Sequence, residues 1–179
     1  GMGGRVNKIR FSPNGKLIGV STDYGAFIFD ADAGNLVNAL HGSSCEVGDI
    51  RFDPNGRNVV VGYGDGNIQL WDIESGASIR TFDGLNSAVR SIGFSPDGRL
   101  LASGDNAGLL KIWDVSTGDP IHSTVNSNMR GVIALAFSPN GQAVWVGGRN
   151  SSLMKWEYET GTETQYPPVY SGQVRDLAL

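Results

Sequence analysis

The stretch FSPDGRLLASG, Phe94 to Gly104, recurs three more times, as FSPNGKLIGVS (Phe11 to Ser21), FDPNGRNVVVG (Phe52 to Gly62) and FSPNGQAVWVG (Phe137 to Gly147). Each copy opens its turn with Ser or Asp, sets proline where a type I turn needs φ of about −60°, and ends with glycine at the fourth position. One such phrase is a turn between two strands, whereas four in phase describe a repeating unit.

The turn glycines Gly15, Gly56, Gly98 and Gly141 stand 41, 42 and 43 residues apart. Phe29, Trp71, Trp113 and Trp156, which close each unit's third apolar run, follow suit at spacings of 42, 42 and 43 residues. A fixed period of this length marks a solenoid or a propeller. In the third unit the apolar runs are VRSIGF (89–94), RLLAS (99–103), LLKIWDV (109–115) and PIHSTV (120–125). All are of strand length and none has the sustained period of a helix. The turn after the third run, written DAG, ESG, STG or ETG, ends in a glycine suited to the left-handed position of a hairpin loop. Each unit is therefore expected to be a four-stranded antiparallel meander.

Alternation along the third run of that unit sends Leu110 and Ile112 to one face and Leu109, Trp113 and Val115 to the other. A sheet apolar on both faces is expected to lie between two others. The expected fold is all-β: a β-propeller of four-stranded blades, four per chain, with units starting near residues 6, 47, 89 and 132. VRDLAL, Val174 to Leu179, aligns with VRSIGF and begins a partial fifth unit. The opening GMGG, residues 1–4, reads as a vector-derived or flexible end, which leaves 5–179 to the propeller.

KIWDVSTGD (Lys111 to Asp119) and QLWDIESGA (Gln69 to Ala77) carry a Trp-Asp pair, each downstream of the Pro-turn hairpin. With these motifs the chain resembles the WD-repeat β-propeller family over residues 6–179. The resemblance implies a buried polar network in each blade, joining a loop His, a strand Ser or Thr, the Trp and a loop Asp. Here the Asp position holds Asp23, Asp65, Ala107 and Asn150, while Ser43, Leu85 and Asn128 stand where the His would be. No blade is expected to complete the network, and Asp65 is expected to bond the amides of its own turn.

The net charge of −4, with no local run of Lys and Arg, argues against nucleic-acid binding. No apolar run approaches the ~20 residues of a membrane span. Cys45 is the only cysteine, so no intrachain disulfide forms, and a cytoplasmic, intracellular setting is expected. No cofactor or metal is expected, because His41 and His122 lie about two blades apart and read as solvent-facing edge residues. GYGDG (Gly62 to Gly66) reads as a hairpin turn, since it opens no helix on which a phosphate would sit. The NSS sequon at Asn150 occupies the same turn of the fourth unit.

What remains is surface. The resemblance implies that Tyr24, Tyr63, Asp105, Asn106 and Arg149 gather with Glu46, Arg130 and Tyr170 around one mouth of a central channel. Tyr and Arg are residue types that anchor protein interfaces. The expected function is a non-catalytic scaffold that binds a protein or peptide there. The alternatives are a glycan-binding propeller lectin, a propeller enzyme, or a fragment of a longer WD-repeat protein. Family rings have about seven or eight blades, so four leave two blade faces bare. Two copies joined head to tail into an eight-bladed ring are the expected solution, ahead of completion by a different chain or closure as a compact four-bladed ring.

Overall fold

The computed structural model describes residues 4–43, 46–126, 129–167 and 177. Sixteen strands among them form four antiparallel sheets, each a meander of four consecutive strands. The first holds β1 (Val6–Phe11), β2 (Leu17–Thr22), β3 (Gly25–Asp30) and β4 (Leu36–Leu40). The second holds β5 (Val47–Phe52), β6 (Asn58–Tyr63), β7 (Ile68–Asp72) and β8 (Ser78–Phe82). The third comprises β9 (Val89–Phe94), β10 (Leu100–Asp105), β11 (Leu109–Asp114) and β12 (Pro120–Val125), and the fourth β13 (Val132–Phe137), β14 (Val144–Gly148), β15 (Leu153–Glu157) and β16 (Thr162–Tyr166). The all-β, four-bladed architecture is the expected one, though β10 runs two residues past the predicted Ser103. Cys45, Asn128, Tyr170 and the fifth-unit stretch 174–179, Leu177 apart, lie outside the described residues.

The repeated phrase closes the first hairpin of every blade. Gly98 N–H donates to the Ser95 carbonyl at 2.9 Å with φ of 72°, and Ser95 Oγ accepts from Leu100 N–H at 2.9 Å. Ser12 and Ser138 repeat this, while in the second blade Asp53 Oδ1 takes the amides of Arg57 and Asn58. All four leading residues are buried, so a short side chain that satisfies the turn's own amides is required there. The aspartate of each Trp-Asp pair does the same for the later turn: Asp114 Oδ1 accepts from the amides of Ser116 and Thr117, and Asp72 Oδ1 from that of Ser75. These aspartates are turn closers.

The apolar cores lie between blades. Ala26, Ile28 and Leu40 of the first blade pack on Val47, Ile50, Val59, Val61 and Trp71 of the second. Ile68, Leu70 and Phe82 then meet Ile92, Leu101 and Trp113, and Leu110 and Ile112 meet Leu135, Val144, Val146 and Trp156. Each blade thus has a leading face toward its predecessor and a trailing face toward its successor, both apolar, as the alternation in β11 requires. The first strands β1, β5, β9 and β13 are neighbours in sequence of blades, and the fourth strands make no comparable contacts. The first strands therefore line the concave side. A polar seam links them: Asp49 Oδ2 accepts from Ile92 N–H and Ser91 Oγ from Leu135 N–H, each at 3.1 Å.

Among the described residues no blade covers the first blade's leading face. Ile9 is 54% and Phe11 64% exposed, whereas Ile50 and Ile92, at the position of Ile9, are fully buried. The fourth blade's trailing face carries Trp145 stacked on Tyr166, with centroids 5.2 Å apart, beside a Lys155–Glu157 ion pair.

Candidate functional site

The turns from second to third strand all lie at one end of the blades, and they hold most of the residues expected at the channel mouth. Tyr24 is 72% exposed. Arg149 is exposed and its guanidinium donates to Asn106 Oδ1, tying the third blade to the fourth. Arg130, also exposed, sits in a left-handed turn with φ of 52° that approaches the same Asn106 loop through Gly131. Glu46 pairs with Arg90 at 2.9 Å. Tyr170 lies outside the described residues.

Tyr63 and Asp105 are fully buried and offer a partner no side-chain surface. Both are the last residues of their second strands, where alternation continues Val59-Val61-Tyr63 and Leu101-Ser103-Asp105 inward. Asp105 Oδ1 accepts the amides of Ala107 and Leu109, both at 2.9 Å, which explains how the third blade dispenses with an Asp at 107. Burial pushes the Tyr63 phenol up from its ordinary value to about 12. The nearby Trp71 indole opposes that shift but makes no hydrogen bond of normal geometry with the phenol. With Tyr63 inside, aromatics are not presented once per blade at a shared phase.

Among the described residues the third blade alone makes the strand Trp to strand Ser bond: Trp113 Nε1–H donates to Ser103 Oγ at 2.8 Å. In the second blade Val61 stands at the serine's register, and Trp71 Nε1, Tyr63 Oη and Gln69 Oε1 are buried without protein partners. Gly42 is needed here, because a Cβ at that position would sit 2.0 Å from the Tyr63 hydroxyl. Asp65 accepts from Asn67 N–H at 3.1 Å, as expected of its own turn, and from Ser43 Oγ. Burial disfavours its charge, but the bonds from Ser43 and Asn67 together outweigh that and hold the carboxyl below its usual range.

His41 is exposed as expected, but His122 is half-buried and tilted over the Tyr158 ring at 5.5 Å. GYGDG ends β6 and forms the hairpin turn that follows it, and the Asn150 sequon is a turn closed by Ser152 on Asn150 Oδ1. Among the described residues no group of three His, Cys, Asp or Glu is placed to hold a metal, and no helix is long and apolar enough to cross a membrane.

The concave wall is a feature that residue counting passed over. Arg10, Arg51, Gly93 and Ala136 occupy one register, five residues before each turn glycine, and border a cavity of about 630 Å³ reached by all four blades. Its remaining wall includes Phe52, Phe94 and Phe137 with Pro54, Pro96 and Pro139, and Leu177. A second cavity of about 170 Å³, also touched by all four blades, lies on the earlier half of the first strands, beside Arg5, Lys8 and Arg90. No run of basic residues appears in the sequence, yet the fold gathers five on one surface. The shared register of Arg10 and Arg51 was the available signal.

The family model of the Vps8 beta-propeller matches residues 13–118, from the first Pro turn to the end of the third blade's Trp-Asp turn. The chain belongs to the Vps8 beta-propeller family. Among solved structures, a chain of the crystal structure of the mitotic checkpoint complex superposes on this Vps8-family propeller with a TM-score of 0.87. The match covers 96% of the propeller described above at 23% identity, which speaks to fold alone. It covers 53% of the other chain, so the present one spans about half that length. No curated protein matches the sequence.

Proposed function

We propose that this propeller is a non-catalytic interaction scaffold of the WD-repeat type, and that two copies join head to tail into an eight-bladed ring. The observation that carries the proposal is the first blade's leading face. Its Ile9, Phe11, Ile18 and Val20 stand at positions whose counterparts are core residues in the next blade, such as Ile50, Val59 and Val61. A surface of this make-up is suited to packing against another blade. Trp145 and Tyr166 of a second copy's fourth blade offer a large aromatic complement. Once the ring closes, Tyr24, Asn106, Arg130 and Arg149 surround one mouth and supply anchors for a protein or peptide partner.

Light scattering across micromolar concentrations tests this. A mass of twice the monomer is expected, and Phe11→Asp should return it to the monomer while leaving the β-sheet circular dichroism intact. A monomeric mass for the native chain at all concentrations would sink the homodimer and leave completion by a different polypeptide.

A further inference from the structure

We propose that the concave wall of the first strands is a second binding site, a groove for an acidic segment of a partner protein that carries an apolar side chain next to its carboxylates. This deepens the scaffold reading and rests on it, but at residues distinct from the loops that hold Tyr24 and Arg149.

The first support is charge placement. The chain as a whole is acidic, at −4, yet Arg5, Lys8, Arg10, Arg51 and Arg90 converge along this wall. Among the described residues the acids facing them include Glu46, bound to Arg90, Asp49, which is buried and bound to the next strand's amide, and Asp23, which accepts from the Arg5 amide and from Asn7, while Arg10 is itself engaged. A basic strip on an acidic molecule draws in anionic segments and repels basic ones.

The second support is how Arg51 is held. Its Nε donates to the Ile92 carbonyl at 3.1 Å and lies 3.4 Å from Asp49 Oδ2, which fixes the guanidinium plane against the third blade. Among the described residues neither Nη has a hydrogen-bond partner, and the side chain is about one-quarter exposed. A planar fork held by its near nitrogen, with its far nitrogens free, is pre-organised to bind a carboxylate through two parallel hydrogen bonds.

The third support is shape. At the register of Arg10 and Arg51, the third and fourth blades have Gly93 and Ala136. Small residues there leave the 630 Å³ cavity open over Phe52, Phe94 and Phe137, within the roughly 300–1,000 Å³ range of ligand sites. The basic heads and the apolar floor lie side by side, so the occupant needs both chemistries. That favours a peptide over a polynucleotide, whose backbone calls for a longer basic track and no apolar floor.

Fluorescence anisotropy with a short labelled peptide alternating Glu and Phe tests the proposal, alongside the same peptide with Lys for Glu and a labelled single-stranded oligonucleotide. The Glu peptide alone is expected to bind, more weakly as salt rises. Arg10→Gln with Arg51→Gln should weaken it roughly tenfold or more. Because losing Arg51 also disturbs Asp49, Ala136→Glu is the companion variant: it removes no hydrogen bond, fills the cavity and adds a repelling carboxylate, and should abolish binding with the fold intact. Equal binding of the Lys peptide, tighter binding of the oligonucleotide, or unchanged affinity in Ala136→Glu would overturn the proposal. Tyr24→Ala should leave peptide affinity unchanged. A loss there as large as in the groove variants would move the peptide to the loops, overturning the groove while the scaffold reading stands.

Discussion

The second and third blades share hairpins, register and a Trp-Asp turn, yet they treat the same tryptophan differently. Trp113 is fully buried and donates to Ser103 Oγ, whereas Trp71 is nearly as buried and its indole N–H has no protein acceptor, with Val61 at the register of that serine. Apolar burial is equal to within a few per cent, so packing alone suffices to build a blade; the hydrogen bond is an addition. What the bond removes is the cost of an unpaired buried donor, about 1–3 kcal/mol. The second blade tolerates that cost because its leading and trailing faces are both covered by neighbouring blades.

The largest expected effect comes from deleting the tryptophans themselves. Trp113→Ala should lower unfolding free energy by about 3–5 kcal/mol in urea titrations, and Trp71→Ala by less, since it also removes an orphaned donor. Equal losses would mean that the Ser103 bond contributes nothing. Next in size is Ser103→Ala, which leaves the third blade in the condition of the second and should cost about 1–3 kcal/mol by the same measurement. The reciprocal graft follows: Val61→Ser supplies Trp71 with an acceptor at the register of Ser103 and should cost about 1 kcal/mol less than Val59→Ser, two positions away on the same face and off that register. A smaller loss at Val59 would break the comparison.

The smallest effect is confined to alkaline solution. The Tyr63 phenol has its pKa raised by burial from 10.0 in the unfolded chain to about 12 in the folded one. Between those values the folded state holds the proton more tightly, so this contribution is complete below pH 10 and is lost as pH climbs toward 12. Thermal melts across that window should fall less steeply for Tyr63→Phe than for the native chain. Parallel curves would show that the phenol does not titrate in the fold.

The period of the turn glycines and the chemistry of their turns made the blades legible, because both are local. Asp65 was legible for the same reason: its ligands are in its own turn. The WD-repeat resemblance places Tyr63 and Asp105 at the mouth with the loops they precede, although strand parity from Val59 and Leu101 points both inward. There the information was present and outweighed by loop position. The basic wall was different in kind. Arg10 and Arg51 are 41 residues apart, and only the curvature between blades brings their shared register together with Gly93 and Ala136.

The cores between successive blades have one more consequence. Among the described residues, substantial contacts outside a blade run to the blade before or after it, so stability is a sum over nearest neighbours along a line. A line has ends. Among the described residues the first blade rests on one interface and the middle blades on two, so amide protons of β1 and β2 should exchange well before those of β6 and β10. Joining the ends turns the line into a loop in which every blade has two neighbours, and unravelling must then break two interfaces at once.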